Sequence, residues 1–371
     1  MVYAFSHKTS DSRRQARQYG SFSPSGVPGT PTGAFHYAWI GQSNAQRMSL
    51  DVSAPSGVLG STQFENDLKA LINASTVETT NEAVNATDIN TGDSATSWWD
   101  SAGGTPTTLT TDAVSAITTF LGGDTLDGLI VDIQEGDILD GRTQAQFTSD
   151  MQAWFAYLRG ASGFNNASLK IYLVETGVID NASYSDSAIK EVHAALQAVA
   201  AADANTILAV TRSDLQGSDG VHLNGTDGYV EIGKRLARAV AKQEISGSVD
   251  GWAGPEIASA TLDSTGTMID VVITHEAGFD LVVADPTDIE GFQVFKSGGE
   301  LTITSVEKLR RDAVRIHLDS ATSTGSLEVR YMFSLGTGAS LTKDGFKLTK
   351  TIYDNATPLS LPLRPKIVSV S

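Results

Sequence analysis

A serine that directly follows an apolar segment is the first residue that indicates chemistry. Ser43 lies in Ile-Gly-Gln-Ser-Asn-Ala-Gln (residues 40–46), immediately after the apolar run of residues 34–39. If a helix begins just beyond Ser43, its first N–H groups point toward the serine oxygen, which suits a nucleophile whose acyl intermediate carries an oxyanion. Serine and asparagine are also good helix caps. The segment alone therefore leaves two interpretations of Ser43, a nucleophile and a helix cap.

A second candidate is the segment Ser-Asp-Gly-Val-His-Leu-Asn at residues 218–224. An aspartate and a histidine three residues apart on one loop can place the carboxylate on the imidazole Nδ1 and leave Nε2 facing a serine. Asp219 and His222 have this spacing and are candidates for the orienting acid and the base. The alternative is a turn at Asp219-Gly220 and a histidine without a catalytic role.

A third candidate segment holds a glycine followed by two tryptophans. Gly92 would let the backbone approach a substrate and present its N–H group to an oxyanion. Trp98 and Trp99 offer a flat apolar wall on which a sugar ring can stack. In the alternative interpretation the glycine belongs to a turn and the tryptophans to the core.

A fourth candidate segment is Ile-Gln-Glu-Gly-Asp at residues 133–137, which ends an apolar run. Polar side chains there would face the same site as Ser43 if both segments end strands of one parallel sheet. Gln134, Glu135 and Asp137 are therefore candidates, with capping of the next helix as the alternative.

The elements that must position these residues lie between residues 34 and 243, where β-rich runs alternate with helical patterns. This alternation predicts a parallel sheet with helices on both faces, whose ligands bind at the carboxyl ends of the strands. The predicted strands are Ala34–Ile40, Ala86–Ile89, Gly128–Ile133, Lys170–Val174 and Thr206–Val210. The predicted helices lie near Thr110–Leu121, Thr143–Leu158, Asp186–Ala201 and Asp227–Lys242.

Two further regions flank this one. Residues 1–33 form a small basic arm and a Pro/Gly/Ser-rich linker, and residues 255–371 carry short apolar runs separated by turn residues, which predict an antiparallel β-sandwich. We therefore predict an arm at 1–33, an α/β domain at 34–243 and a β domain at 255–371. The predicted strands of the β domain are Met268–His275, Asp280–Val283, Phe292–Lys296, Leu301–Val306, Val314–Leu318 and Leu327–Phe333.

The composition excludes some kinds of site and makes some kinds of partner unfavourable. The 371-residue chain has no cysteine, so a disulfide framework and a thiolate metal site are excluded. A net charge of −17 disfavours nucleic acid and anionic membrane surfaces as partners. No apolar run approaches the ~20 residues of a membrane span and the N-terminus has no apolar signal region, so we predict a soluble protein without a Sec-type signal. The other five histidines have no acidic or metal-ligand spacing, and we interpret them as structural or surface groups.

Taken together, the four segments resemble the four sequence blocks of the SGNH hydrolases, in order. The matching residues are Gly41-Gln42-Ser43-Asn44, Gly92 with Trp98 downstream, Gln134-Glu135-Gly136-Asp137 and Asp219-Gly220-Val221-His222. The sequence is most similar to the sialate O-acetylesterase and acetylxylan esterase branch, over roughly residues 34–243. The resemblance implies a flavodoxin-like three-layer α/β/α fold with strand order 2-1-3-4-5, no cofactor and no metal.

The same resemblance implies roles for individual residues. Ser43 would be the nucleophile, His222 the base and Asp219 its orienting acid. The oxyanion hole would use the backbone N–H groups of Ser43 and Gly92. The family's third-block Asn is absent here, and Gln134 stands where the esterase branch usually has Gly, so Gln134 is our candidate for the third donor. The expected substrate contacts are Gln42, Trp98, Trp99 and Glu135.

Three functions are compatible with these residues. The first is a serine esterase that removes O-acetyl groups from a cell-surface polysaccharide or a sialic-acid-type sugar. The second is a virion or receptor-binding protein that binds glycan with little or no turnover, docked through the N-terminal arm or as a homo-oligomer. Segments such as Ile352-Tyr353-Asp354 and Leu363-Arg364-Pro365 favour it, because they resemble β domains appended to esterases of bacteria and tailed phages. The third is a lipase or thioesterase on the same fold.

Overall fold

The computed structural model contains an α/β region followed by a region built only of β-strands. It describes residues 33–51, 57–90, 95–176, 179, 183–215, 221–223, 228–245, 249, 251–332, 351–356, 359 and 361–371. The predicted N-terminal arm, Gly92 and Asp219 lie outside the described residues. No helix in these ranges is both long enough and apolar enough to cross a membrane.

The α/β region contains seven α-helices and seven strands among its described residues. The strands are β1 Ala34–Gly41, β2 Thr76–Asn81, β3 Trp99–Asp100, β4 Thr105–Pro106, β5 Gly128–Asp132, β6 Lys170–Glu175 and β7 Thr206–Thr211. The helices are α1 Ser43–Arg47, α2 Gly60–Ile72, α3 Thr108–Leu121, α4 Glu135–Leu139, α5 Gln144–Arg159, α6 Asp186–Ala202 and α7 Gly228–Glu244, with a short 3-10 helix at Ser162–Phe164.

The central sheet has the predicted topology. Its five strands are parallel and run in the order β2-β1-β5-β6-β7, which is 2-1-3-4-5 when only these strands are counted. Residues that alternate along β1 face opposite sides of the sheet. Ala38 and Ile40 join a core with α3, α5 and α6, whereas Tyr37 and Trp39 join a core with α2 and α7. The α/β region is therefore a three-layer α/β/α structure, as predicted.

The prediction for the second strand is wrong. Residues 85 and 86 lie in a turn, Asp88 forms only an isolated bridge with Ser97, and the φ of Ala86 is 55°, which is outside the β range. The strand is instead Thr76–Asn81, an edge strand in which only Val77 is buried. Because this strand has so little apolar character, its sequence lacks the alternation of apolar and polar residues that indicates a strand. Helix α2 was not predicted either.

The β region agrees with the predicted sandwich. Its strands are β8 Glu256–Leu262, β9 Met268–Thr274, β10 Leu281–Val282, β11 Phe292–Lys296, β12 Gly299–Leu301, β13 Ile303–Arg310, β14 Ala313–Leu318, β15 Leu327–Tyr331, β16 Tyr353–Asp354 and β17 Lys366–Ser369. Two four-stranded sheets, in the orders β12-β11-β15-β17 and β13-β14-β9-β8, share one apolar core, and β10 pairs with β16. The exact domain boundaries stay predictions.

Side chains of the β region contact the α/β region near the end of β7. The Tyr353 hydroxyl donates to Asp214 Oδ2 over 2.7 Å, and Arg235 holds both oxygens of the same carboxylate at 2.7 and 2.8 Å. The Arg364 guanidinium donates to the Leu208 carbonyl over 2.8 Å. The two regions are therefore joined by buried polar contacts.

We expect Tyr353→Phe to lower the free energy of unfolding by about 2 kcal/mol, because a hydrogen bond to a buried carboxylate is lost. Tyr157→Phe is the matched control, since the Tyr157 hydroxyl makes no hydrogen bond among the described residues. Urea unfolding of the two variants and the wild type measures the difference. Equal losses in both variants would contradict a stabilising contact at Tyr353.

Candidate active site

The turn after β1 brings the chain unusually close to its neighbour β5. Gly41 has a φ of +131°, and a Cβ at this position would lie 2.1 Å from the carbonyl oxygen of Asp132. The next N–H group, that of Gln42, donates to the same carbonyl over 3.0 Å. Only glycine permits this backbone conformation and this approach. The turn lifts the chain off the sheet and starts α1 at Ser43.

Ser43 and His222 meet at the carboxyl edge of the sheet. His222 Nε2 lies 2.7 Å from Ser43 Oγ, although 179 positions separate the two residues. Gln42, not Ser43, occupies the N-cap position of α1, and Ser43 is the first helical residue. With Nε2 as the acceptor of the serine proton, the imidazole can act as a base toward Ser43. The arrangement would suit a nucleophile paired with a base.

Two of the predicted partners of this pair, Asp219 and Gly92, lie outside the described residues. Their roles as orienting acid and as oxyanion donor stay predictions, as does the backbone N–H of Ser43 as a donor.

A buried network beneath Ser43 centres on the Glu135 carboxylate. Glu135 is 1% exposed and accepts hydrogen bonds from the Gln42 side chain, from Asn44 Nδ2 at 3.0 Å and from Thr176 Oγ1 at 3.3 Å. Arg212, also 1% exposed, donates to Glu135 and, over 3.1 Å, to Asp132. The Gln42 oxygen accepts from the Gly136 N–H. Because their side chains are engaged with each other, the expected substrate contacts of Gln42 and Glu135 have no support in this arrangement.

Two carboxylates compete for one guanidinium in this network. Burial, with the Glu135 charge nearby, raises the pKa of Asp132 to about 7, although Arg212 opposes the rise. Burial lowers the pKa of the Arg212 guanidinium, but its two carboxylate neighbours outweigh that effect and raise it. Asp132 therefore holds its proton to a higher pH than an exposed aspartate does.

Gln134 is placed differently from the prediction of a third oxyanion donor. Its side-chain N–H donates to the Val174 carbonyl, and its side-chain oxygen accepts from the Thr176 N–H. Gln134 is also 1% exposed. Both ends of the carboxamide thus bind the backbone at the end of β6, which gives the side chain a structural role and leaves the proposed donor role without support.

The remaining residues of the third block position the chain that precedes Gly92. Both oxygens of Asp137 accept from the Ile89 N–H, at 3.2 and 3.1 Å. Burial raises the pKa of the Asp137 carboxyl well above its usual range. The Asp88 carboxylate packs on Gly136, where a Cβ would collide with Oδ1. Glu135, Gly136 and Asp137 each therefore make a contact that explains why that amino acid occupies the position.

The prediction that Trp98 and Trp99 contact a sugar is corrected by their burial. Trp98 is fully buried, its indole N–H donates to Thr87 Oγ1 over 3.0 Å, and its ring packs on that of Trp154. Trp99 is 6% exposed and packs near Tyr157. Large apolar rings gain more from the core beneath the sheet edge than from solvent. The alternative interpretation, that both are core residues, is the one that the structure supports.

Sequence reasoning assigned no role to Asp132, Thr176 or Arg212. Each is the last residue of a sheet strand or the residue directly after one: Asp132 ends β5, Thr176 follows β6 and Arg212 follows β7. The rule that located the 133–137 block, polar residues at the carboxyl ends of parallel strands, would have found them.

Comparisons with solved structures agree with this architecture. A carbohydrate acetylesterase from Xanthomonas citri matches with a TM-score of 0.66 and 14% identity, over 90% of this chain and 80% of that one. NanS matches with a TM-score of 0.39 and 13% identity, over 58% of this chain and 98% of that one. A protein from Desulfitobacterium hafniense that is described as a putative lipolytic protein of the G-D-S-L family matches with a TM-score of 0.33 and 12% identity. The match covers 55% of this chain and 98% of that one. No protein-family model and no curated protein matches the sequence.

The strand order and the likeness to the Xanthomonas citri structure define the class of the fold. The chain shares the fold of that structure, and its α/β region has three layers around a parallel sheet in the order β2-β1-β5-β6-β7, followed by antiparallel β-sheets. At these identities the likeness concerns the fold, so activity has to be argued from the site itself.

We expect Gly41→Ala to lower the free energy of unfolding by more than about 3 kcal/mol, because the methyl group adds both a backbone conformation that alanine resists and a collision with Asp132. The matched control is Gly122→Ala, where φ is also positive, at 58°, but nothing lies within 4 Å of the new Cβ. That control should cost about 1 kcal/mol. Equal losses in urea unfolding would refute the close approach at Gly41.

The stability of the site should depend on pH through Asp88. Burial raises the pKa of Asp88 from 3.8 to about 6, Asp140 adds to the rise and Arg142 opposes it. At a pH between 3.8 and about 6, Asp88 is protonated in the folded protein but ionised in the unfolded chain. The free energy of unfolding should therefore fall as pH rises from about 4 to about 6, by on the order of 1–2 kcal/mol from this group, because solvent screening reduces the effect of a partly buried carboxyl.

Urea unfolding of Asp88→Asn across pH 4–7 tests this expectation. The slope of the free energy of unfolding against pH should be smaller in the variant than in the wild type below about pH 6, and Asp132 should still contribute to it up to about pH 7. Asp112→Asn, on the exposed face of α3, is the control and should keep the wild-type slope. A wild-type slope in Asp88→Asn would show that Asp88 titrates normally.

Proposed function

We propose that this protein is a serine esterase that removes O-acetyl groups from carbohydrate through an acetyl-enzyme. The observation that carries the proposal is the 2.7 Å contact between Ser43 Oγ and His222 Nε2 at the carboxyl edge of the sheet. A hydroxyl held at hydrogen-bond distance from an imidazole is the pair that nucleophilic ester cleavage requires.

In the first half of the proposed reaction, Ser43 Oγ attacks the acetyl carbonyl while His222 Nε2 takes the serine proton. The negative charge that develops on the carbonyl oxygen would be stabilised by the N–H groups of Ser43 and Gly92. When the tetrahedral intermediate collapses, the bond to the sugar oxygen breaks and His222 returns the proton to that oxygen. The sugar leaves with a free hydroxyl, and the acetyl group remains on Ser43.

In the second half, a water molecule replaces the sugar. His222 takes one proton from the water as its oxygen attacks the acetyl carbon, and the same donors would stabilise the second tetrahedral intermediate. Collapse breaks the bond to Ser43 Oγ, which recovers its proton from His222. The products are acetic acid and free enzyme, and each step balances without a metal or a redox partner.

The choice of an acetylated carbohydrate has two supports. The four sequence blocks resemble the carbohydrate esterase branch, and the Xanthomonas citri protein described as a carbohydrate acetylesterase matches over 90% of this chain, which includes the β region. A cell-surface polysaccharide or a sialic-acid-type sugar would be the substrate.

Fewer observations support the virion hypothesis and the lipase or thioesterase hypothesis. The virion hypothesis rested on the N-terminal arm, which lies outside the described residues, and on the resemblance of the C-terminal segments, and no comparison supports it. Trp98 and Trp99 would have suited either a sugar or an acyl chain, and because both are buried they favour neither the carbohydrate substrate nor the lipase or thioesterase alternative.

We expect Ser43→Ala to lower kcat for p-nitrophenyl acetate by at least about 10³-fold, because the nucleophile is removed while binding groups remain. Ser49→Ala is the matched control, since Ser49 accepts from Asn81 and has no contact with His222 among the described residues. Mass spectrometry of the quenched wild type should show one added acetyl group, absent in Ser43→Ala. Equal rates in wild type and Ser43→Ala would show the assignment to be wrong.

The substrate class is tested with the wild type by two measurements. Acetate should be released from acetylated polysaccharide, and the rate should fall along a series of p-nitrophenyl esters from acetyl to octanoyl. Faster turnover beyond butyryl would favour a lipase or thioesterase. Glycan binding without acetate release would favour the receptor-binding alternative.

A further inference from the structure

The residue after the proposed nucleophile contacts the chain on both sides of the proposed base. Asn44 is 1% exposed, and its Nδ2 donates to the Val221 carbonyl over 3.3 Å while its Oδ1 accepts from the Leu223 N–H at 3.4 Å. Val221 and Leu223 flank His222. One carboxamide therefore spans the backbone of the residue whose imidazole meets Ser43.

The orientation of this carboxamide is itself determined. Nδ2 also donates to Glu135 Oε1 over 3.0 Å, and Oδ1 also accepts from the Tyr229 hydroxyl at 3.1 Å. Both donor hydrogens and both acceptor sites are thus used, which is the full capacity of an asparagine side chain. The reverse orientation would bring the amide oxygen against the Glu135 carboxylate and the Val221 carbonyl. The carboxamide can therefore bind the backbone of Val221 and Leu223 in one orientation only.

The proposed nucleophile and this carboxamide belong to one rigid unit. Ser43 and Asn44 are consecutive residues of α1, and Glu135, which receives the Asn44 donor, is fixed by Arg212 and Gln42. A shift of the 221–223 segment relative to α1 would change the hydrogen bonds to Asn44 together with the distance between Ser43 Oγ and His222 Nε2. Misplacement by about 1 Å can cost about 10²-fold in rate.

We propose that Asn44 is a positioning residue that sets the place of His222 relative to Ser43 by bonding the backbone on both sides of the histidine. The part of this inference that concerns catalysis rests on the proposed function. Asn44 touches neither substrate nor reacting atoms and acts through the base.

The kinetic test compares Asn44→Ala with Asn81→Ala. Asn81 is the matched control, because its side chain donates to the Ala45 carbonyl over 2.8 Å in the same helix but does not contact residues 221–223. In Asn44→Ala we expect kcat for p-nitrophenyl acetate to fall about 10- to 100-fold with KM changed less than about 3-fold, whereas Asn81→Ala keeps kcat within about 3-fold. A kcat in Asn44→Ala within that same factor of wild type would overturn the proposal, and so would an equal fall in Asn81→Ala.

A conservative variant separates positioning from a general loss of stability. Asn44→Asp keeps the acceptor oxygen but loses the donor while its carboxyl is ionised beside Glu135. When that carboxyl takes up a proton, it becomes a donor of nearly the asparagine shape. The ratio of its kcat to the wild-type value should therefore rise as pH falls, and the ratio for the apolar variant Asn44→Leu should stay low. A flat ratio for Asn44→Asp would contradict the proposal.

A readout that does not need turnover separates this inference from the proposed function. In protein with ¹⁵N-labelled histidine, the His222 Nε2 resonance should shift in both Ser43→Ala and Asn44→Ala and stay at the wild-type position in Asn81→Ala. If the wild type hydrolyses no ester, the esterase proposal fails, and the resonance still tests whether Asn44 positions His222. An unchanged His222 signal in Asn44→Ala would refute the positioning role whether or not the enzyme is active.

Discussion

The buried carboxylate of Glu135 is the interaction on which the candidate site depends. A charge in the protein interior must be paired and hydrogen-bonded, because the desolvation penalty is otherwise several kcal/mol. Glu135 meets this requirement with donors from four places in the chain: Gln42 before α1, Asn44 within it, Thr176 after β6 and Arg212 after β7. Removing one partner of such an ion pair costs on the order of 3–5 kcal/mol. The charge therefore holds together the strand ends that carry the site.

Two glycines allow the backbones around this carboxylate to come close enough. Gly41 lets the end of β1 pass against the carbonyl of Asp132, so that α1 begins with Ser43 at the edge of the sheet. Gly136 leaves room for the Asp88 carboxylate. Ser43 and the segment before Gly92 are thus both positioned by contacts with the end of β5 and the start of α4. The third sequence block thus contacts the first block at Gln42 and the chain that precedes Gly92 at Ile89.

The β region contacts the α/β region at Asp214, which lies in the chain between β7 and His222. Asp214 lies three residues beyond the end of β7, and both Arg235 of α7 and Tyr353 of β16 bind its carboxylate. Burial and the Asp214 charge raise the pKa of the Tyr353 hydroxyl, which keeps it protonated as a donor. One polar contact of the β region, that of the Tyr353 hydroxyl, thus falls on Asp214, whereas the Arg364 guanidinium binds the Leu208 carbonyl within β7.

Much of the site could be predicted because its motifs are local. Gly41-Gln42-Ser43-Asn44 and the Asp-Gly-Val-His stretch are short blocks at strand ends, and the helical patterns of α3, α5, α6 and α7 are strongly periodic. The second strand was missed because an edge strand buries little, so its apolar pattern is weak. Trp98 and Trp99 were ambiguous because an aromatic side chain suits a sugar platform and a core equally well until its neighbours are known.

By itself, the sequence determined the class of fold, the strand order implied by its resemblance, and the identity of the serine and histidine that could react. These follow from local periodicity, from turn chemistry and from short blocks. Only the tertiary structure decided that Ser43 Oγ and His222 Nε2 meet at 2.7 Å, that Gln134 binds backbone, that the tryptophans are buried and that Asn44 bridges the residues around His222. The reason is physical: each of these outcomes is a contact between residues far apart in the chain, and its energy depends on which strand ends the folded sheet places side by side.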